Sequence, residues 1–145
     1  MSGKAGRGLA LAAAAAAVLI QFARPARSNP PVKPENTMAA QVETPEAVRL
    51  ILERACRDCH SHRTRWPWYS QVAPASWLLA RHVNQGRQKM NLDDWTEEMS
   101  AKDICQETRV GSMPLKGYLA LHPEAKLAGQ EIQTLCSWSQ RAVYR

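Results

Sequence analysis

The apolar positions of the chain recur at helical spacing, and no stretch shows the alternation typical of a strand. The clearest stripe follows Thr44, a good N-cap residue, with Pro45 expected at the first helical position. Its apolar members recur at intervals of three and four residues: Val48, Ile51, Leu52 and Ala55. The pattern therefore predicts an amphipathic helix with one face against a core.

The rest of the chain predicts further helices joined by loops. Ser100 is a good cap for one of them, and Gly111 is placed to end it. The expected helices cover Ala75–Gln85 (ending at Gly86), Ala101–Val110, Pro114–Leu121 and Ala128–Val143. We therefore predict an all-α domain in which the helix after Thr44 and the last helix cross and close the core.

The first 28 residues have the pattern of a targeting segment. Lys4 and Arg7 precede the apolar stretch Leu9–Phe22, which is 14 residues long. A membrane-spanning helix needs about 20 apolar residues. Residues 1–28 are thus either a signal peptide or a short N-terminal membrane anchor. Both alternatives place the rest of the chain on the exported side of a bacterial membrane, in the periplasm.

Composition changes after Ser28. Prolines are concentrated at the start of residues 29–41, which predicts an extended linker, and the folded domain is expected over 42–145. Four of the 19 basic residues precede Asn29, and the remainder of the chain carries 15 basic and 13 acidic residues, a net charge of +2. This balanced mixture excludes a nucleic-acid-binding surface.

The sequence CRDCH ends the first amphipathic stripe and carries the decisive chemistry. Cys56 and Cys59, three positions apart on a helical turn, point to one side and can span the two vinyl groups of a haem. His60 then reaches the iron as the proximal ligand. A redox dithiol would expect a strand before the motif, and a zinc site would need two further ligands at compact spacing. We therefore expect haem c, covalently attached, with its iron as the bound metal.

The opposite face of the iron has two main candidate ligands, with Met90 and Met99 as weaker options. Met113 lies 53 residues after His60 in the sequence GSMP, and a thioether ligand stabilises ferrous iron and raises the potential. The alternative role of Met113 is to fill core space, as most methionines do. His82, on the helix predicted over Ala75–Gln85, is the second candidate and would give bis-histidine ligation.

Two further groups of residues have candidate roles. The aromatic and basic run after His60 passes near the haem edge, where propionates could be contacted by Arg63, Arg65, Trp68 and Tyr69. The alternative is a rigid aromatic loop with its arginines in water. Cys105 and Cys136 form an even pair in an exported chain, which indicates either a disulfide or two buried thiols.

The motif order resembles that of known haem proteins. From CxxCH through Met-Pro to a C-terminal helix, it is similar to class I cytochromes c. The junction QFARPARSNPP and the segments CRDCHSHRTRWPWYSQVAPASW, HVNQGR, GSMP and ALHPEAKL resemble a family of small exported bacterial haem-binding domains. This resemblance covers nearly the whole chain. It implies haem binding in a cytochrome c-like helical domain and leaves the reaction open.

The motifs together predict a one-electron carrier rather than an enzyme. A haem iron held by His60 and Met113 has no open position for a substrate, and an unidentified redox protein would be its partner. A vacant sixth position would instead indicate a gas sensor or a weak peroxidase, with His82 as an acid–base group. A third alternative is a haem-bearing accessory subunit of a membrane redox complex, attached through the N-terminal segment.

Overall fold

The computed structural model describes residues 2–143, which form helices and loops and contain no β-strand. The α-helices are α1 (Ser2–Leu19), α2 (Met38–Gln41), α3 (Glu46–Ala55), α4 (Arg57–His60), α5 (Ala75–Lys89), α6 (Ala101–Arg109), α7 (Lys116–Leu119) and α8 (Gly129–Ser139). Short 3₁₀ turns cover Ile20–Phe22, Pro34–Asn36, Trp68–Gln71 and Pro123–Ala125. The prediction of an all-α fold is confirmed.

The chain divides into two compact units. The first comprises Met1–Ser28 with Trp66–His82, and the second comprises Asn29–Arg65 with Val83–Arg145. Helix α5 contributes its first half to one unit and its second half to the other. This division differs from the boundaries expected from composition, because the segment after the CxxCH motif groups with the N-terminal residues.

The apolar core of the second unit is built on α3. The four residues of the predicted stripe are all buried, and α8 packs against both α3 and α6. The buried members of this core are Met38, Val42, Val48, Ile51, Leu52, Leu92, Trp95, Ala101, Ile104, Leu135 and Trp138. The predicted pairing of the first and last helices of the domain is therefore present, with α6 as a third element.

The helix ends follow local chemistry. Helix α3 begins one residue later than predicted, with Pro45 at the N-cap, because the Thr44 hydroxyl donates to the Val42 carbonyl instead of capping the helix. Ser100 caps α6 through the N–H of Lys102, as predicted. Gly111 closes the same helix with a φ of 71°, a conformation that costs a glycine little.

Residues 29–41, expected to form an extended linker, are part of the second unit and contact its core. The Met38 side chain is only 4% exposed, and its N–H donates to the Leu92 carbonyl at 2.9 Å. The N–H of Trp95 donates to the Asn36 carbonyl at 2.8 Å. The prolines stiffen this segment, but Met38 gives it an apolar anchor in the core, which composition does not reveal.

Helix α5 runs four residues beyond its predicted end. Gly86, expected to terminate it, is buried inside the helix, and the N–H of Met90 donates to the Gly86 carbonyl at 2.9 Å. The prediction was wrong because this glycine serves a close packing contact rather than a helix C-terminus.

The first unit joins the end of the N-terminal segment to residues 66–82. The Gln21 side-chain amide accepts from the Ala73 N–H at 2.9 Å and donates to the Ala73 carbonyl at 3.3 Å. Arg27 donates to the Ser70 carbonyl, and the Trp77 indole donates to the Ala23 carbonyl. Within residues 2–143, no helix is long and apolar enough to cross a membrane.

Candidate functional site

The CxxCH motif forms a separate helical turn directly after α3. Cys56 has φ −120° and ψ −33°, which ends α3, and α4 follows at once. The N–H groups of Cys59 and His60 both donate to the Cys56 carbonyl, at 3.2 and 3.0 Å. Cys56 also packs against the apolar core. One compact turn therefore holds both cysteines and the histidine on the end of a buried helix.

His60 is oriented by the end of α5. Its Nδ1 lies 3.0 Å from the Met90 carbonyl oxygen, which can only accept, so Nδ1 carries the proton. In return, the His60 carbonyl accepts from the N–H of Leu92 at 2.7 Å. Burial lowers the pKa of His60 and favours the neutral ring. The arrangement leaves Nε2 as the ring nitrogen available to a metal.

The two cysteine thiols are unoxidised and partly buried. Burial raises the pKa of the Cys56 thiol to about 12 and that of the Cys59 thiol to about 11. Both sulfurs are therefore neutral S–H groups at neutral pH. They are separate from Cys105 and Cys136, which the structure joins in a disulfide between α6 and α8. That bond leaves neither of the latter two sulfurs for a zinc site.

Gly86 of α5 lies directly against the motif. A Cβ at this position would stand 2.6 Å from the Cys59 carbonyl oxygen and 3.2 Å from its carbonyl carbon. Both neighbours are backbone atoms, which cannot swing away as the end of a side chain can. The absence of a side chain at Gly86 thus lets α5 approach the turn closely enough for Met90 to reach His60.

A buried carboxylate holds the chain just after His60. The Asp93 side chain is fully buried and accepts from the His62 N–H at 3.1 Å. Arg63 donates to both oxygens of the same carboxylate, at 3.0 and 2.8 Å. Sequence reasoning missed Asp93, because nothing in the sequence distinguishes it from the adjacent Asp94. Arg63 therefore pairs with Asp93, while its expected contact with a propionate stays a prediction.

Arg87 also holds the segment that follows His60, through hydrogen bonds to residues 61 and 64. Its Nε donates to the Ser61 carbonyl at 2.7 Å, and its Nη2 donates to the Thr64 hydroxyl at 2.9 Å. The same nitrogen donates to the Asn29 side chain at 2.9 Å. Because Arg87 follows Gly86 in α5, one helical segment both contacts the motif and fixes the loop that leaves it.

Asp58, between the two cysteines, accepts a hydrogen bond from Tyr118 of α7. The Tyr118 hydroxyl donates to Asp58 Oδ2 at 3.0 Å, and the N–H of Arg65 donates to Asp58 Oδ1 at 3.3 Å. The Tyr118 ring stacks on His122 with 4.3 Å between centroids. Sequence reasoning missed this contact, since Tyr118 lies 60 residues from Asp58 in the chain.

The other predicted site residues lie on several different segments of the chain. Met113 is partly buried in the loop after α6, where its N–H donates to the Glu107 carbonyl at 3.2 Å. The Arg65 side chain is 75% exposed, with its Nε 3.9 Å from Asp58. Trp68, Tyr69 and His82 belong to the first unit. Trp68 is exposed there and meets Tyr69 edge to face, with 5.9 Å between centroids. The roles expected for these residues stay predictions.

Two buried nitrogens, one in the motif and one just after it, have no hydrogen-bond partner among the described residues: Arg57 Nε and His62 Nδ1. The Asn91 amide donates to His62 Nε2 at 2.8 Å, so His62 Nδ1 carries the proton and is a donor. A haem brings propionate acceptors for such donors, two vinyl groups for the free thiols and an iron for His60 Nε2. The residues present therefore fit a haem.

An all-α domain with this histidine and these two thiols in one turn defines a haem-binding helical protein. The family model described as a haem-binding domain matches residues 15–141, and the chain belongs to that family. The match includes the junction QFARPARSNPP as well as the CxxCH motif. No curated protein and no solved structure shows significant similarity to the chain.

Proposed function

We propose that this haem-binding protein is an exported one-electron carrier of the c type, with His60 and Met113 as the axial ligands of its iron. The observation that carries the proposal is the hydrogen bond from His60 Nδ1 to the Met90 carbonyl at 3.0 Å. It holds the ring in the tautomer that presents Nε2 to a metal, in the same turn as two free thiols.

Each residue of the motif has a defined task in this proposal. Cys56 and Cys59 would hold the haem covalently through two thioether bonds, each S–H group adding across one vinyl double bond. Bound haem would supply an iron that changes between the ferric and ferrous states.

The surrounding residues keep this turn rigid and partly shielded from water. Asp93 and Arg87 fix the chain immediately after His60, and the core holds Cys56. A rigid ligand set that is the same in both oxidation states lowers the reorganisation that accompanies electron transfer. Met113 suits the sixth position because a neutral thioether stabilises ferrous iron.

We further propose that the N-terminal segment is retained after export and ties the domain to the periplasmic face of a membrane. The support is the pairing of Gln21 with the backbone of Ala73, which is only 8% exposed. Removing residues 1–28 would remove the Gln21 side chain, the hydrogen-bond partner of the Ala73 N–H and carbonyl. Each unsatisfied buried group costs about 1–3 kcal/mol. The family match also begins inside the segment, at residue 15.

The test is the spectrum of the full chain, produced in a bacterium that attaches haem c. His/Met ligation predicts a weak charge-transfer band near the red end of the visible spectrum in the ferric protein, and slow, incomplete carbon monoxide binding to the ferrous protein. Met113→Ala should lose the band and bind carbon monoxide rapidly, whereas the same change at Met99 should alter neither property. Rapid carbon monoxide binding by the unaltered protein would overturn the electron-carrier proposal in favour of a sensor or peroxidase.

A further inference from the structure

Met113 lies in a loop whose two flanks are tied down by different parts of the second unit. On its N-terminal side, the N–H groups of Ser112 and Met113 both donate to the Glu107 carbonyl, at 3.1 and 3.2 Å. Glu107 lies on α6, which the Cys105–Cys136 disulfide bonds to α8. On its C-terminal side, the Tyr118 side chain makes a hydrogen bond to Asp58, 60 residues away in the chain.

Tyr118 reaches the haem-attachment turn itself. Its hydroxyl donates to Asp58 Oδ2 at 3.0 Å, and Asp58 stands between Cys56 and Cys59. Three other groups face the same carboxylate, all on the Oδ1 side: the N–H of Arg65 at 3.3 Å, Arg57 Nη2 at 3.7 Å and Arg65 Nε at 3.9 Å. These contacts fix the position of the carboxylate that accepts the Tyr118 hydroxyl. A hydrogen bond to an ionised acceptor is stronger than one to a neutral acceptor.

The ring of Tyr118 is also held in position by a stacking contact. It stacks on His122, with 4.3 Å between centroids and 16° between planes. Burial, followed by the charge of Asp58, raises the pKa of Tyr118, so the phenol keeps its proton. The hydroxyl is thus a lasting donor to the carboxylate.

We propose that the Asp58–Tyr118 hydrogen bond is a latch that positions the Met113 loop against the haem-attachment turn. Tyr118 and Asp58 are positioning residues in this scheme: neither touches the iron, and both act on Met113 through the four residues that join Met113 to Tyr118. Because the latch ends between the two cysteines, any movement of the attachment turn carries the loop with it. The inference rests on the proposed His60/Met113 ligation.

The test uses the full haem-loaded chain with Tyr118→Phe, which removes the hydroxyl and keeps the ring on His122. We expect a weaker charge-transfer band, carbon monoxide binding about tenfold faster, and faster hydrogen exchange confined to residues 112–122. Asp58→Asn keeps an acceptor oxygen and should give a smaller change of the same kind. Thr134→Val, which deletes an exposed hydroxyl bonded within α8, is the control and should match the unaltered protein.

The outcomes separate the latch from the ligation. If the unaltered protein shows the band and Tyr118→Phe keeps the band, the carbon monoxide rate and the exchange pattern, the latch is overturned while His/Met ligation stands. If the unaltered protein lacks the band, the ligation is overturned, and unchanged exchange of residues 112–122 in Tyr118→Phe would then also reject the latch. If Tyr118→Phe does not attach haem, Asp58→Asn supplies the same three readouts.

Discussion

Gly86 of α5 packs so closely on Cys59 that a Cβ would lie 2.6 Å from the Cys59 carbonyl oxygen. The contact brings α5, which ends directly before Met90, against the turn that carries the haem motif, and Met90 is the partner of His60 Nδ1. The contact gives a reason for a glycine inside this 15-residue helix, where glycine lowers helix stability by about 1 kcal/mol relative to alanine.

Gly86→Ala should therefore separate α5 from the motif. We expect a loss of about 1–3 kcal/mol in the free energy of unfolding, typical of an overpacked core, together with less haem per chain. Urea unfolding and the ratio of haem absorbance to protein measure the two effects. Gly117→Ala is the matched control, since a Cβ there meets nothing within 4 Å. An equal response to both substitutions would contradict the close-packing explanation.

Asp93→Ala should destabilise the fold through the groups that the carboxylate leaves behind. The His62 N–H loses its acceptor and Arg63 loses a bidentate partner. Removing one member of a buried ion pair costs about 3–5 kcal/mol. We expect about 3 kcal/mol, because the Arg63 side chain is 52% exposed and can turn to water. Denaturant unfolding gives this value.

The neighbouring Asp94 is the control for that substitution. Its side chain is exposed and accepts a long hydrogen bond, 3.4 Å, from the Asn36 amide. Asp94→Ala should change the free energy of unfolding by less than about 0.5 kcal/mol. A similar loss at both positions would show that Asp93 acts through general charge rather than through its buried contacts.

The disulfide between α6 and α8 should contribute strongly to stability. It closes a loop with a sequence separation of 31, for which the chain-entropy model gives about 3–4 kcal/mol. The double substitution Cys105→Ala with Cys136→Ala should lower the unfolding free energy by that amount. Reductant should lower the melting temperature of the unaltered chain and leave the double variant unchanged. Reductant sensitivity in the double variant would place the labile bond elsewhere.

Glu131 should make α8 sensitive to acid. Its carboxylate accepts from the Ala128 N–H at 2.8 Å and pairs with Arg54. The backbone N–H and then Arg54 lower the pKa of Glu131 below its usual value. Its stabilising effect is therefore full above the unfolded-state pKa and is lost as the pH falls through the lowered folded-state pKa.

Glu131→Gln tests this dependence by chemical denaturation at two pH values. We expect the variant to be about 1 kcal/mol less stable than the unaltered chain at pH 7, a typical value for a lost helix cap. At about pH 3 the difference should shrink, since the protonated carboxyl no longer differs in charge from the amide. A constant difference at both values would assign the effect to shape.

Retention of the N-terminal segment predicts the mass of the mature protein. The haem-loaded protein purified from membranes should contain residues 21–28, which intact mass spectrometry detects directly. Gln21→Leu, which keeps the size and loses both bonds to Ala73, should expose residues 66–82 to protease. Phe22→Leu is a control, since Phe22 is 80% exposed. A mature chain beginning after Ala26 or Ser28 would contradict retention.

Local signals in the sequence were enough to predict the class of fold and the centre of the candidate site. The apolar stripe of α3 has a period that only a helix satisfies, and all four of its members are buried. The CxxCH spacing carries its meaning within five residues, so it needs no tertiary information. The same holds for Ser100 and Gly111, whose roles at the ends of α6 depend on backbone geometry nearby.

What only the tertiary structure decided was which distant residues serve the motif. Met90, Asp93 and Tyr118 meet His60, Arg63 and Asp58 across 30, 30 and 60 residues of chain. Gly86 has the sequence signature of a helix end, and only its position against Cys59 shows why a side chain is excluded. Periodicity reports which face of an element is apolar. It does not report which polar atoms those packed faces bring within hydrogen-bonding distance, because that depends on how the elements pack.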